Sequence, residues 1–390
     1  LTGIRVVDLS RVLGGPYCTQ ILSDHGARVV KVEPPMGDET RTWGPPFVEG
    51  TASYFLGVNR NKQDIVLDLS RPEGREAVLR LLADADVLVE NFKTGTMEKW
   101  GLGFEEVLRE RFPRLIHCRV SGFGGDGPLG GAPGYDAVAQ AMGGLMSVNG
   151  DPASGPTRIG IPIVDMTTGL NAVIGILLAL AERQRSGQGQ FVEATLFDTA
   201  VGLLHPHAAN WFVNGQVPVL AGSGHPNVVP YDKFETRSGE VFLGIGNDGQ
   251  FRKFCAFVGA PELATDARYA SNGERNRNRI ALRASIETLL ADRDAAELCE
   301  GLLKAGIPAG PVNQLPQVLQ HPHTLHREMV VEFDNGQRGL GIPVKLSRTP
   351  GSVHAAAPTL GQHTREVLLG LGYSSTEVDA MIEQGIARAP

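Results

Sequence analysis

The sequence has few cysteines and no long apolar run. Only four cysteines occur among 390 residues, and none stands in a CxxC pair or a Cys/His spacing that would bind a metal. We therefore expect reduced, mostly buried thiols, as in a cytoplasmic protein. The longest apolar stretch, around 172–181, is far shorter than the ~20 residues that span a bilayer. We expect no membrane partner.

An excess of positive charge is absent as well. The 36 Lys and Arg residues are outnumbered by 43 Asp and Glu, which gives a net charge of −7. We expect no nucleic-acid partner, and an anionic ligand would need locally placed positive groups. No leader with a charged start and an apolar run opens the chain, and we expect a short native start, including the initiator Met, before Leu1.

Several catalytic motifs are missing. Without a G-x-S-x-G elbow, a P-loop or an HExxH pair, hydrolase, nucleotide kinase and zincin functions lose their usual support. The segment 244–249 matches GxGxxG, but no βαβ unit follows it, so Asn247 or Asp248 is interpreted as a helix cap. The His-Pro-His triplets at 205–207 and 321–323 lack acidic or cysteine ligands at a metal spacing, and we expect no metal.

The pattern that is present predicts a mixed α/β fold with a Rossmann-like parallel sheet. Short apolar runs alternate with helical patterns in the first third of the chain, which is typical of such a sheet. The predicted strands are 4–9, 28–33, 87–90 and 115–121, and the predicted helices are 16–25, 72–85, 104–111, 136–146 and 168–185.

A smaller α+β domain is predicted after a linker at 214–230, which is rich in Gly, Pro and Asn. Its predicted elements are a strand at 241–245 and helices at 250–258, 276–290 and 295–305; strands at 330–333 and 341–345 and a terminal helix follow. We predict a large domain over 1–215, a small domain with its linker over 216–328, and a return of the chain to the large domain over 329–390.

Asp165 is the most informative residue. It is the one carboxylate in the otherwise uncharged run 159–169, just ahead of an apolar helical pattern. Burying it without partners would cost several kcal/mol. Two interpretations remain open from the residue itself: Asp165 caps the helix, or it takes part in chemistry.

The end of the first predicted strand carries a second candidate site. The segment 11–17 reads Arg-Val-Leu-Gly-Gly-Pro-Tyr, and its two glycines let the backbone approach a ligand. The free N–H groups of a helix that begins at Pro16 would attract an anion. A tight strand–helix turn explains the same residues equally well.

Short segments along nearly the whole chain match, in order, the sequence pattern of one protein family. These segments are 9–17, 26–35, 37–41, 59–62, 67–69, 72–74, 90–95, 121–124, 133–136, 185–190, 247–251 and 306–312. With these segments the chain resembles the class III CoA-transferase family, which includes formyl-CoA transferase and carnitine CoA-transferase.

The resemblance implies a catalytic aspartate at Asp165 and a homodimer in which two ring-shaped chains interlock. It implies a CoA thioester as substrate, a small carboxylic acid as second substrate and no permanently bound cofactor. A glycine-rich flap over the active site is shortened here to Gly222, Ser223 and Gly224, followed by His225. The residues implied to lie along CoA are Arg11, Val12, Leu13, Gly14, Leu67, Asp68, Leu69, Ser70, Asn91, Phe92, Lys93, Gly95 and Lys99, with Tyr135 and Asp136 close to the thioester.

Two positions depart from the family pattern. Pro34 and Lys99 stand where formyl-CoA transferase has arginines that contact CoA. Lys99 keeps the charge but loses the two-pronged geometry of a guanidinium. Pro34 removes a contact.

Two rival functions are considered. α-Methylacyl-CoA racemase, of the same superfamily, pairs its aspartate with a histidine at the place of Tyr135, and a tyrosine, with an ordinary pKa near 10, is a poor proton shuttle at neutral pH. The other rival is an inert acyl-CoA-binding protein, which predicts no loss of function on Asp165→Ala. Because the nucleophile and its surroundings are present, transfer is favoured.

The acids exchanged are expected to be small dicarboxylates, such as succinate, glutarate or malate. Succinyl-CoA is the expected donor, because the pattern looks closest to family members that use it. Arg41, Arg60 and Lys62 are candidates to hold the distal carboxylate, since a buried carboxylate needs a charged partner. Each of the three could equally belong to a structural ion pair or contact a phosphate.

Overall fold

The computed structural model describes residues 1–390, which fold into two compact units. The large unit comprises 1–144, 159–203 and 322–390, and the small unit comprises 145–158 and 204–321. The predicted boundaries at 215/216 and 328/329 remain predictions.

A seven-stranded sheet forms the centre of the large unit. Its strands are β1 (Arg5–Asp8), β2 (Arg28–Glu33), β3 (Gln63–Leu67), β4 (Val87–Glu90), β5 (Ile116–Ser121), β6 (Phe191–Thr195) and β7 (Ala387–Arg388). The order across the sheet is β6-β5-β4-β1-β2-β3-β7, and all pairs are parallel except β3 with β7. The predicted parallel sheet is therefore confirmed.

Helices cover both faces of this sheet. On one face, α1 (Gly14–Asp24) and α3 (Ile163–Ser186) pack over apolar strand residues such as Val6 and Ile116. On the other, the helices Pro72–Leu82, Thr364–Gly370 and Ser375–Glu383 pack over Val7, Ile65 and neighbouring residues. Alternate strand residues supply the two faces, as the pleat requires.

The large unit contains several shorter elements. Its other helices are Ser53–Leu56, Thr96–Lys99, Arg109–Arg111, α2 (Asp136–Met142), Leu196–Gly202 and Pro322–His326, with a 3-10 turn at Glu39–Thr42 and a π-helical turn at Phe104–Leu108. Two short strand pairs join Phe47–Val48 to Thr51–Ala52 and Val330–Glu332 to Arg338–Leu340.

α3 begins five residues earlier than the predicted 168. Asp165 therefore lies in its first turn rather than ahead of it, and Pro162 is the N-cap residue. α3 is long and apolar enough to cross a membrane, by length and composition only. The shorter apolar run 172–181 did not suggest this, and buried core helices of soluble proteins also meet these two criteria. Its residues Ala172 and Ile176 are fully buried in the unit's core.

The small unit has its own core around a three-stranded antiparallel sheet. Its strands are Tyr231–Thr236, Gly239–Gly244 and Ala309–Pro311. Its helical elements are Leu145–Val148, His207–Asn214, Asp248–Val258, Glu262–Thr265, the 3-10 turn Ala267–Tyr269, Asn272–Arg277, α4 (Arg279–Leu290), Ala295–Lys304 and Leu315–Gln320, and a short strand pair joins Gly150–Asp151 to Gly155–Pro156. The expected cap is present, because the Asn247 side chain accepts the N–H of Gln250 at 2.9 Å.

Three further sequence predictions were wrong in detail. The predicted helix 136–146 is two helices, Asp136–Met142 and Leu145–Val148. The predicted helix 276–290 is likewise interrupted at Asn278. The run 341–345 is not a strand; the pairing partner of Val330–Glu332 is Arg338–Leu340.

Candidate active site

The site lies where the strand order of the large sheet reverses. β1 pairs with β2 on one side and with β4 on the other, so the loops after β1 and β4 diverge at this edge. Such switch points are where open α/β sheets bind ligands. The Arg11 N–H donates to Asn91 Oδ1 (2.8 Å), and Asn91 Nδ2 donates to the Arg11 carbonyl (2.6 Å), which ties the two loops together.

Val12 has a strained backbone at this edge. Its φ of 68° is in the left-handed region, which a β-branched residue rarely adopts. The carboxylate of Asp38, itself buried, accepts the Val12 N–H (3.2 Å at Oδ2) and pairs with Lys31. Strain held in place by surrounding contacts is characteristic of ligand sites.

α1 and α3 meet at glycines beside Asp165. A Cβ added to Gly169 would lie 2.7 Å from the carbonyl oxygen of Gly14, so the helices could not pack as they do with any larger residue there. A Cβ on Gly14 would lie 3.8 Å from Asp165 Oδ1. The Asp165 carboxylate is therefore next to the start of α1.

Asp165 does not cap its helix; Asp136 does. Asp136 Oδ2 accepts the N–H groups of Val164 (2.8 Å) and Asp165 (3.1 Å), which satisfies two free donors of the first turn of α3. Asp136 is 6% exposed, and Gln140 Nε2 donates to its Oδ1 at 2.6 Å. The capping interpretation of Asp165 was wrong because a distant carboxylate fills that role.

The surroundings of Asp165 favour its neutral form. Burial, and then the charge of Asp136, raise its pKa from an ordinary 3.8 to about 7. No Lys or Arg forms an ion pair with it. A carboxylate with so high a pKa is more basic than usual and is a functional-site candidate.

A cavity of about 230 Å³ opens beside Asp165. Of the residues predicted for the site, it brings together Arg11, Val12, Leu13, Gly14, Asn91, Phe92, Lys93, Tyr135 and Asp165. Leu67–Ser70, Gly95, Lys99 and Asp136 do not line it. Leu67 and Leu69 are buried in the core, and Lys99 is exposed at the end of the helix Thr96–Lys99. Sequence reasoning did not select Glu39, Thr94, Val120, Ser121, Gly122, the segment 131–134 or Leu196, which also line it.

Tyr54 lies near the two carboxylates, although it does not line the cavity, and the sequence did not indicate it. Burial, then the charges of Asp165 and Asp136, raise its pKa to about 12, so its hydroxyl stays protonated. Its ring packs edge-on against Trp43 at 5.3 Å. Only the folded chain brings this phenol near the two carboxylates.

Gly222, Ser223 and Gly224 belong to the small unit. Gly222 has a φ of 62° and donates its N–H to the Gly150 carbonyl (2.9 Å), and the Gly224 N–H donates to Ala221 (3.0 Å). Ser223 donates its hydroxyl to Asp232 (2.6 Å). Two of the three backbone donors expected to stabilise an oxyanion are therefore bonded within the unit.

The three cations considered for a distal carboxylate are structural. Arg41 pairs with Glu33 (2.7 Å), Arg60 with Asp24 (2.6 Å) and Lys62 with Asp8 (3.2 Å), and all six side chains are buried. Of the three interpretations left open by the sequence, a distal carboxylate, a structural ion pair or a phosphate contact, the structure supports the ion pairs. No group of His, Cys, Asp and Glu side chains is arranged to hold a metal ion.

Known proteins are similar to this chain over nearly its whole length. The chain is 39% identical over 382 residues to a succinate–glutarate CoA-transferase of Agrobacterium fabrum, covering 95% of each chain. It is 39% identical over 398 residues to a succinyl-CoA:mesaconate CoA-transferase of Haloarcula hispanica, covering 97% of this chain and 99% of the relative. The crystal structure of a CAIB/BAIF family protein from Brucella suis superposes with a TM-score of 0.85 at 42% identity, covering 95% of this chain and 98% of that one.

The match to a family description is equally extensive. CoA-transferase family III matches residues 1–364, which include the strand-end loops, the Asp165 region and the small unit. The family resemblance seen in the sequence is confirmed. This chain belongs to CoA-transferase family III and is an enzyme of that class.

Proposed function

We propose that the protein transfers CoA from succinyl-CoA to a small dicarboxylic acid, with Asp165 as the covalent nucleophile. The observation that carries the proposal is the raised pKa of a carboxylate that lines the switch-point cavity. A basic carboxylate attacks an acyl carbon more readily than an ordinary one. The names of the relatives support succinyl-CoA and dicarboxylates as the substrate classes.

The first half-reaction moves CoA onto the enzyme. An oxygen of ionised Asp165 attacks the thioester carbon, the C–S bond breaks, and CoA leaves as a thiolate while a mixed anhydride forms. The thiolate then attacks the Asp165 carbonyl carbon of the anhydride. The donor acid leaves as a carboxylate, and an aspartyl-CoA thioester remains.

The second half-reaction reverses these steps with the acceptor. Its carboxylate attacks the aspartyl thioester and expels the thiolate, which gives a second anhydride. The thiolate attacks the acceptor's acyl carbon, the new acyl-CoA forms, and Asp165 leaves as a carboxylate. No net proton is consumed, so Asp165 needs only to be ionised at the start.

The CoA chain would run along the loops after β1 and β4, with Tyr135 near the thioester. Arg11 supports this placement, because its partly exposed guanidinium lines the cavity with only a 3.9 Å ion pair to Glu39 and could meet a phosphate. A cavity of about 230 Å³ would hold the reacting end of the thioester rather than the whole molecule. Leu67–Ser70, Gly95 and Lys99 would contact the remainder, and Asp136 would act by holding α3.

Gly222–Gly224 would close over the site and donate N–H groups to the oxyanions. Because Gly222 and Gly224 are already bonded, closure has to release at least one of those bonds. Valine at Gly224 is expected to prevent this movement and lower turnover, since even a Cβ there lies 3.1 Å from Asp232.

The active enzyme would be an interlocked homodimer. Supporting this, α3 exposes a row of apolar side chains, Leu170, Ile174, Leu177 and Leu178, with exposures of 41–66%. Contiguous exposed apolar surface of this kind is usually covered by a partner. Racemisation is not favoured, because Tyr135 replaces the histidine it would need and the relatives are named CoA-transferases.

The test is mass-spectrometric. Purified protein receives succinyl-CoA with glutarate, malate, valerate or formate, and new CoA thioesters are identified, with Asp165→Ala in parallel. Glutaryl-CoA or malyl-CoA made by the wild type and not by the variant is the expected result. No new thioester, together with deuterium uptake at Cα from heavy water, would instead establish racemisation.

A further inference from the structure

The loop 91–94 lines the cavity beside Asp165 and lies between two carboxylates, Glu90 and Glu98. Glu90 is the last residue of β4, and Glu98 belongs to the helix Thr96–Lys99 that follows the loop. The proposed transfer uses neither carboxylate. Because loops are more mobile than the elements they connect, a loop whose two ends are held in place loses less entropy when it binds a ligand.

One guanidinium binds both carboxylates. Arg119 Nε donates to Glu90 Oε1 at 2.6 Å, and Arg119 Nη2 donates to Glu98 Oε1 at 3.0 Å. Arg119 lies in β5 directly opposite Glu90, with its guanidinium 5.1 Å from the centre of the Phe191 ring. Since the Arg119 side chain is only 8% exposed, salt screens these contacts less than it screens pairs on the surface.

Glu90 extends this contact into the loop itself. Its second carboxylate oxygen, Oε2, accepts the N–H of Phe92 at 2.8 Å. At the other end of the loop, the Thr96 N–H donates to the Lys93 carbonyl at 3.0 Å, which joins the loop to the helix that carries Glu98. The guanidinium therefore holds the loop 91–94 from both sides.

The same guanidinium offsets the negative charge on both sides of the loop. Burial raises the pKa of Glu98, but its own N–H and the Arg119 guanidinium lower that pKa more, so this carboxylate is ionised at pH 7. Glu90 is fully buried, and His117 Nε2, 3.5 Å from it, forms no hydrogen bond. Arg119 is thus the permanent cation of the group, and without it the two carboxylates would repel the phosphates of a ligand.

We propose that Arg119 is a positioning residue that holds the loop 91–94 in its CoA-binding conformation. The inference rests on the proposed function, in which CoA runs along this loop. Arg119 does not line the cavity, so it acts through Glu90 and Glu98 rather than by touching CoA. When either end of the loop is released, the loop adopts the binding conformation for only part of the time, and the apparent affinity for CoA falls in proportion.

The experiment is calorimetric titration of free CoA into wild type, Glu98→Gln, Arg119→Lys and Arg119→Gln. Glu98→Gln removes the charge at the partly exposed end of the contact, and we expect the Kd for CoA to rise ~10-fold, as when the binding-competent fraction falls to about a tenth. Arg119→Gln should weaken CoA binding more. Arg119→Lys should lie between Arg119→Gln and wild type, because an ammonium keeps the charge but loses the fork that reaches both carboxylates.

The matched control is Glu105→Gln. Glu105 is an exposed glutamate that also pairs with an arginine, Arg109, at 2.7 Å, and its replacement should leave the Kd for CoA unchanged. In steady-state assays, Glu98→Gln should raise KM for succinyl-CoA and leave kcat unaltered, which is the pattern for a residue that affects binding alone.

An unchanged Kd for CoA in both Glu98→Gln and Arg119→Lys would overturn the proposal, and Glu98→Gln keeps it testable even when Arg119→Gln fails to fold. A Glu98→Gln enzyme that loses kcat while its Kd for CoA stays the same would also overturn it. The proposed function fails differently. If wild type binds CoA more tightly than the variants but makes no new thioester, the transfer is refuted and the positioning role of Arg119 stands.

Discussion

The large unit contains two sets of carboxylates that differ in one respect, the presence of a cation. Asp8, Asp24, Glu33 and Asp38 each meet a buried Lys or Arg within hydrogen-bond or ion-pair distance. Asp136 and Asp165 lie side by side at the start of α3 without a Lys or Arg in an ion pair; Asp136 accepts two backbone N–H groups and the Gln140 amide. Asp8 and Glu33 are the last residues of β1 and β2, so they stand at the same edge of the sheet as Asp165 beside the start of α1.

The pKa values show what this difference does. Burial would raise the pKa of Asp8, but Lys62 and Lys31, with hydrogen bonds from Ser10 and Thr19, hold it below its ordinary value. At Asp165, burial and the Asp136 charge act in the same direction, and the pKa rises to about 7. Paired carboxylates stabilise the fold, whereas an unpaired one remains reactive at the cost of stability.

The largest expected effect is on catalysis. Asp165→Asn keeps the shape of the side chain but removes the nucleophile, and we expect CoA transfer to fall at least ~1000-fold. Turnover of succinyl-CoA with glutarate measures it. Asp198→Asn, an exposed aspartate in the first turn of the helix Leu196–Gly202, is the control and should keep full activity. Equal losses of activity in Asp165→Asn and Asp198→Asn would contradict a specific catalytic role of Asp165.

The second effect concerns the paired set. Asp8→Asn leaves Lys62 buried without its counterion, and we expect a loss of ~3–5 kcal/mol in the free energy of unfolding. Urea denaturation at pH 7 measures it. A loss below ~1 kcal/mol would mean that these ion pairs are not what stabilises this edge of the sheet.

At Asp165, replacing aspartate by asparagine should raise the free energy of unfolding rather than lower it. Because the folded-state pKa lies above the unfolded one, ionisation of Asp165 destabilises the fold progressively from about pH 4 to about pH 7 and constantly above it. Asp165→Asn should therefore be more stable than wild type by ~1–2 kcal/mol at pH 8, after allowance for partial exposure, and by little at pH 4. Unfolding curves at the two pH values test this, and a destabilised variant at pH 8 would contradict it.

The smallest effect is a shift of the pH profile. In wild type, kcat/KM should rise with pH through about 7 as Asp165 ionises. Asp136→Asn keeps an oxygen to cap α3 but removes the charge, so the rise should move to lower pH by a fraction of a unit. An unmoved profile would assign the raised pKa to burial alone.

The sheet was predictable from local pattern where its strands are rich in valine and leucine, as in β2 and β4. β3 was missed because Gln63 and Asp64 interrupt its pattern, although Asp64 is buried and accepts the N–H of Gly361, far along the chain. β6 was missed at the sheet edge, where Glu193 is exposed.

Some residues of the site could likewise be predicted from the sequence, and others could not. Asp165 and the segment 11–14 stood out as residues that their local sequence does not explain, and the structure brings them together. The cap from Asp136 and the approach of Tyr54 depend on contacts between distant segments, and no local pattern reports them. Arg41, Arg60 and Lys62 attracted attention as charges, but only the folded chain shows their partners.

Isotope transfer into Asp165 tests the central claim most directly. The enzyme would turn over succinyl-CoA with glutarate whose carboxylate oxygens are labelled with a heavy isotope. The mass of the peptide that contains Asp165 would then be measured by mass spectrometry. Covalent catalysis predicts that this carboxylate gains heavy oxygen, because the acceptor's oxygen leaves with Asp165 when the second anhydride is cleaved. Glutaryl-CoA formed without any label in Asp165 would contradict the account and show that transfer does not pass through this residue.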